Sequence, residues 1–128
     1  MVRIKVENIT EKKTWEEFVL NKNEANFLQS WYWGEFHKAL GKTIIRSGFF
    51  EDNKLASVML SVVEPAKRGK YVTVPGGPII DWKNKNLISV FLNETKRIAK
   101  EYNCVFVRVR PQLRSDDFSK KLFKSEIW

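Results

Sequence analysis

The sequence predicts an α+β fold, a single mixed sheet flanked by helices, in the order β-α-α-β-β-β-α-β-α. Three observations carry this. Thr43–Phe50 and Leu55–Val63 are rich in β-branched and aliphatic residues, and the polar turn Glu51-Asp52-Asn53-Lys54 joins them as a hairpin. Leu87, Ile88, Phe91, Thr95, Ile98, Ala99 and Tyr102 recur at helical spacing. Cys104–Val109 is then a near-continuous apolar run, the pattern of a strand buried on both faces in the middle of a sheet. Hairpins first and a helical crossover later make the sheet a mixed one.

The elements follow in order. Arg3–Val6 alternates polar and apolar residues, as a short strand does. Thr14-Trp15-Glu16-Glu17 has the spacing of a capping box, and Trp15, Phe18, Val19 and Lys22 share the face of the helix it opens. Ser30 is the N-cap of a second helix. There Trp33, Phe36, His37 and Leu40 recur at helical spacing, with Trp33, Phe36 and Leu40 toward the core and Gly41 as left-handed C-cap. After the hairpin, Pro65–Gly69 is a basic loop. Lys70–Val74 is a strand stopped by Pro75-Gly76-Gly77-Pro78, and Ile79–Trp82 is a short extended exit. The long helix has Lys96, Arg97, Lys100 and Glu101 on its outer face. Pro111 ends the strand after it, and Ser115-Asp116-Asp117 opens a last helix with Leu122 and Phe123 inside.

A chain of 128 residues is one domain. The single cysteine, Cys104, excludes a disulfide framework and a multi-cysteine zinc site, and at the head of a buried strand it reads as inert. One histidine, His37, excludes a histidine metal cluster. No apolar run approaches the ~18 residues of a membrane span, and the start is no signal peptide, so the expectation is a cytoplasmic protein. The net charge of +8 favours anionic partners, although the basic residues are spread along the chain. The chain ends on the apolar pair Ile127-Trp128, which we read as a cut from a longer protein.

Three segments could carry chemistry. In Gln29-Ser30-Trp31-Tyr32-Trp33-Gly34-Glu35-Phe36-His37-Lys38 the aromatics cannot all face one core. Trp31 and Tyr32 either cover neighbouring strands or wall a cleft, with His37 and Lys38 as its polar heads. Gly76-Gly77 between two prolines, after Tyr71, is either a plain tight turn or a place where a ligand approaches the backbone. No Gly-Lys-Ser/Thr follows, so it is not a phosphate-cradling loop. Arg108 and Arg110 share a strand face with Phe106 and suit a phosphate or carboxylate, or else a solvated rim.

Taken in order and spacing from Ser30 to Leu113, these segments resemble the amino-terminal part of the FemABX peptidyltransferases. The resemblance implies a GNAT-like (acyl-CoA N-acyltransferase-like) domain, the first and incomplete one of two. The second domain and the family's helical hairpin are absent from residues 1–128. It implies transfer of an amino acid from aminoacyl-tRNA to the amine of a UDP- or lipid-linked muropeptide precursor in peptidoglycan bridge formation, with no further cofactor. The family lysine that contacts substrate phosphate falls on His37, with Lys38 adjacent. An acidic residue common in the family before the closing proline is Arg110 here. The implied precursor-binding set is His37, Lys38, Trp31, Tyr71, Gly76, Gly77, Arg108 and Arg110, with no metal. The resemblance also implies a monomer in peripheral contact with the inner membrane face, and these 128 residues alone are expected to be inactive. Two other readings stay open: a basic RNA-binding module, and a small-molecule N-acyltransferase of the same fold.

Overall fold

β-Branched runs and a two-residue turn build the centre of the sheet. In the computed structural model, which describes residues 3–22 and 27–110, strands β2 (Thr43–Glu51) and β3 (Lys54–Glu64) pair antiparallel along their whole length. Asp52 and Asn53 both take positive φ (47° and 72°), the conformation whose twist matches a two-residue hairpin. Strand β1 (Ile4–Asn8) lies antiparallel to the outer side of β2, and β4 (Tyr71–Pro75) antiparallel to β3. Helix α3 (Lys85–Glu101) then crosses over to β5 (Phe106–Arg110), which runs parallel to β4. The order is β1-β2-β3-β4-β5.

Helices cover both faces. Leu87, Ile88, Phe91 and Ile98 of α3 pack on Phe49, Met59, Val72 and Val74. On the opposite face α1 (Lys12–Leu20) and α2 (Trp31–Ala39) cover Val58, Leu60, Val62 and Ile79 with Trp15 and Val19. Val58–Val63 is wholly buried, so β3 is the central strand. The long helix matches its predicted face except for Glu94. This residue is buried, and its carboxylate accepts from Ser47 Oγ at 2.7 Å and from Arg97 at 2.6 and 3.1 Å.

Four expectations are corrected. The Thr14 capping box does not form: the helix starts earlier, at Lys12 after Glu11, and Thr14 Oγ1 donates back to Glu11 at 3.3 Å. The strand expected over Cys104–Val109 in the sheet centre is β5. Among the described residues it is an edge strand whose Phe106, Arg108 and Arg110 are exposed, so its apolar run signals one covered face, not two. In α2, Phe36 and Leu40 are at least half exposed. The buried positions are Gly34 and His37, and Trp31 and Trp33 pack, partly buried, against the cluster on the sheet, so of the expected core trio Trp33 alone faces it. Gly34 is there because a Cβ would lie 2.6 Å from an Arg46 guanidinium nitrogen. The strand expected over Lys70–Val74 starts and ends one residue later. The helix expected from Ser115, with Leu122 and Phe123, lies outside the described residues.

The alternate residues of β3 that aim their peptide groups at β4 are satisfied by three different segments. Val62 and Glu64 pair with Thr73 and Tyr71. Val58 exchanges both hydrogen bonds with Ile79 (3.2 and 3.0 Å), beyond the Pro75–Pro78 turn. Between them Leu60 is met by a side chain, that of Gln29, from a 3-10 turn (Phe27–Gln29) ahead of α2.

Candidate functional site

Two helices and three strands bring the site together. Ser30 caps α2, its side chain accepting from Trp33 N at 3.1 Å, and Glu16 Oε1 accepts from Trp31 N at 2.6 Å. The helix ends in a Schellman motif: Gly41, at φ +84°, donates to Lys38 O, and Lys42 N donates to His37 O at 3.1 Å. That turn folds Lys42 back over the helix, so its Nζ lies 3.5 Å from His37 Nδ1 and 2.7 Å from Glu64 Oε1. Burial, with the Lys42 charge beside it, pulls the His37 pKa below its ordinary value; Glu64 opposes this. The imidazole is therefore neutral near pH 7, and the cation at this spot is Lys42.

Glu64 leads to the open part of the sheet. It is the cross-strand partner of Tyr71, which is itself in register with Phe106. Val72, Val74, Val107 and Val109 turn toward α3, so Tyr71, Thr73, Pro75, Phe106, Arg108 and Arg110 share the other face. Helices α1 and α2 cover β2 and β3 on this face. Beyond them Phe106 remains 45% exposed, and Arg108 and Arg110 are exposed too. The Tyr71 and Phe106 rings stack at 4.7 Å and 5°, and Arg108 Cζ lies 5.2 Å and 5.8 Å from their centroids. On the other side of His37, Trp33 packs edge-on at 4.9 Å and stacks with the exposed Phe36 at 5.1 Å. The result is a strip of aromatic surface with cations along it. At ~3.3 Å per residue, Tyr71 to Pro75 alone spans ~13 Å.

The expected site residues fall into three places. His37, Tyr71 and Arg108 join on the strip, through Lys42, Glu64 and Phe106. Arg110 lies at its far end, in register with Pro75 beside the Gly76–Gly77 turn. Both glycines are buried, and a Cβ on Gly77 would lie 2.7 Å from Gln29 Nε2 and Oε1. Trp31 and Lys38 line a neighbouring groove of about 650 Å³ at the β2 edge, with Glu35, Arg46 and Arg97, and it meets the strip at Lys42, which lines both. There the Arg46 guanidinium lies 3.5 Å from the Trp31 ring centre and donates to Trp31 O at 2.9 Å, so that indole already has a cation on it. Lys42 and Glu64 were missed from sequence. Gly41 as left-handed cap was the available signal for Lys42, whereas Glu64 is placed by strand register alone. Among the described residues no cluster of His, Cys, Asp and Glu could hold a metal ion, and no helix is long and apolar enough to cross a membrane.

A family model described as the FemAB family matches residues 10–126. Aminoacyltransferase FemA of Staphylococcus epidermidis is 41% identical over 63 residues, 48% of this chain and 15% of the relative. Aminoacyltransferase FemA of Staphylococcus aureus is 32% identical over 59 residues, 46% of this chain and 14% of the relative. The chain thus matches about 15% of the length of these curated relatives. Among solved structures, FemX superposes with a TM-score of 0.84 at 20% identity, over 94% of this chain and 31% of that chain. A possible acetyltransferase from Clostridium difficile 630 superposes with a TM-score of 0.64 at 14% identity, over 97% of this chain and 88% of that chain. These likenesses show the fold, a GNAT-like α+β domain.

Proposed function

The chain belongs to the FemAB family, and on that premise we propose that it is the acceptor-binding part of a tRNA-dependent aminoacyltransferase that builds peptidoglycan bridges. The carrying observation is the strip that runs from the buried His37 through the mostly buried Lys42–Glu64 pair to the Tyr71–Phe106 stack and the exposed Arg108. A muropeptide precursor is anionic at its phosphates and has flat and apolar parts elsewhere. Arg108, held over two rings, supplies a cation for phosphate, and the rings supply a surface for the rest.

The reaction asks little of side chains beyond placement. The acceptor amine loses a proton and attacks the ester carbonyl of aminoacyl-tRNA; an amide bond forms, the ester bond breaks, and the tRNA hydroxyl leaves. Holding the two substrates in line provides much of the acceleration. A neutral His37, its Nδ1 facing the Lys42 ammonium, carries its proton on Nε2 and can donate a hydrogen bond to the precursor without adding a charge. We place the activity at the cytoplasmic side, where aminoacyl-tRNA is found, in a monomer. The exposed Lys67, Arg68 and Lys70 suit a peripheral contact with an anionic membrane face.

Titration calorimetry of this chain with UDP-linked precursor tests the reading. Saturable binding that Arg108→Ala weakens is expected. No response to the precursor, with salt-steep affinity for generic RNA, would sink it in favour of a basic RNA-binding module.

A further inference from the structure

We propose that Gln29 is a positioning residue for this site, its carboxamide standing in for a peptide unit between β3 and β4. The inference rests on the precursor-binding reading above. Backbone pairing of β3 with β4 covers Val62/Thr73 to Glu64/Tyr71, and in the same register the next rung is Leu60 opposite Pro75. Pro75 has no N–H, so a closed rung would leave the Leu60 carbonyl without a donor in a fully buried strand. Gln29, 0% exposed, fills that rung. Its Nε2 donates to Pro75 O at 2.7 Å and to Leu60 O at 3.3 Å, and its Oε1 accepts from Leu60 N at 2.9 Å. A primary amide carries the same donor and acceptor as a peptide group, which an aliphatic side chain of that size does not.

The insertion has a geometric effect. A closed rung brings strands to their ordinary ~4.8 Å spacing; an amide seated between Leu60 and Pro75 holds them wider. The Pro75–Pro78 turn is set by that spacing, with the buried Gly77 pressed on the carboxamide. The same residue fixes the helices. Its carbonyl accepts the Trp15 indole N–H of α1 at 2.7 Å, and the next residue, Ser30, caps α2, which carries His37. Gln29 thus sets the distance between the His37 end of the strip and its Pro75–Arg110 end.

The test separates this from ordinary stabilisation. Gln29→Leu removes the inserted amide, and Gln29→Leu/Pro75→Val also returns the missing N–H, so the rung can close directly. The single variant is expected to melt at lower temperature and the double variant to recover most of the loss. Affinity for UDP-linked precursor is expected to stay down about tenfold or more in both, because neither variant holds the turn at the spacing the inserted amide sets. Ligand-free ¹⁵N spectra of the double variant are expected to show shifted Gly76 and Gly77 amides. Wild-type affinity in the double variant, or unshifted glycine amides, overturns the proposal. If the wild-type chain does not bind precursor, the functional reading falls, and the glycine amides alone then decide the role of Gln29: shifted supports it, unshifted refutes it.

Discussion

Gly77→Ala is the smallest change that engages the joint between turn and sheet. The φ of Gly77 lies outside the left-handed range, so alanine meets no left-handed penalty there. The added Cβ would instead fall on the Gln29 carboxamide, 2.7 Å from both Nε2 and Oε1. That side chain cannot swing away freely, since three hydrogen bonds hold it in a fully buried place. Overpacking costs about 1–3 kcal/mol. If the carboxamide gives way, Leu60 N, Leu60 O and Pro75 O lose their partner, at about 1–3 kcal/mol for each group left unsatisfied. Because one movement relieves the clash as it breaks the bonds, the terms do not add, and a loss of about 3–4 kcal/mol is expected. For a domain of this size that is a fall of roughly 10–15 °C in melting temperature. Gly41→Ala is the control. It has nothing within 4 Å and fails only through its φ of +84°, which costs about 1 kcal/mol. Urea and thermal unfolding followed by tryptophan fluorescence compare the two. If Gly77→Ala proves no worse than Gly41→Ala, Gln29 is not held as described.

Other outcomes follow from the same structure. Glu94→Ala strands the buried Ser47 hydroxyl and is expected to cost about 2 kcal/mol in urea unfolding. Most of this is the Ser47 bond, because Arg97 is half exposed and its pairing is screened; a loss smaller than that of Arg97→Ala would contradict it. His37 binds its proton more weakly folded than unfolded, so the unfolded state takes up the proton first as pH falls. Stability should decline as pH drops from about 7 through the unfolded value near 6.5. His37→Gln should flatten that slope, and an unchanged slope would show that His37 is not its source. Arg108→Ala should lower precursor affinity about tenfold, as loss of one charge-assisted contact does. Lys38→Ala, in the neighbouring groove, should change it less than twofold; the opposite order would move the phosphate contact to that groove.

What was legible in the sequence divides along physical lines. The β2–β3 hairpin and α3 were readable because their signals are local: two β-branched runs about a polar turn, and an apolar face at helical spacing. Helix α2 was readable as a helix, with its cap and its Gly41 end, but not in its orientation. Its apolar spacing points to Trp33, Phe36 and Leu40, while the helix packs on the sheet through Trp31 and Trp33 with Gly34 between, where the missing side chain leaves room for Arg46. A face that turns on a glycine is invisible to hydrophobic periodicity. Likewise Arg108 and Tyr71 could be proposed one at a time, but only register brings them together, and Gln29 looked like one polar residue among several.

The central strand also has a consequence for the order of assembly. One edge of β3 meets β2 across a two-residue turn and needs only local closure. The other edge is local only where Val62 and Glu64 meet β4; at Leu60 and Val58 it waits for residues far away in the chain, 31 positions back to Gln29 and 21 on to Ile79. Closing those loops costs entropy that a single contact does not return. The two antiparallel pairings of β3 should therefore form early and the Gln29 and Ile79 contacts late. By the same reasoning the amides of Leu60 and Ile79 should exchange with solvent well before those of the β2–β3 ladder, so that the turn beside Gln29 opens before the hairpin does.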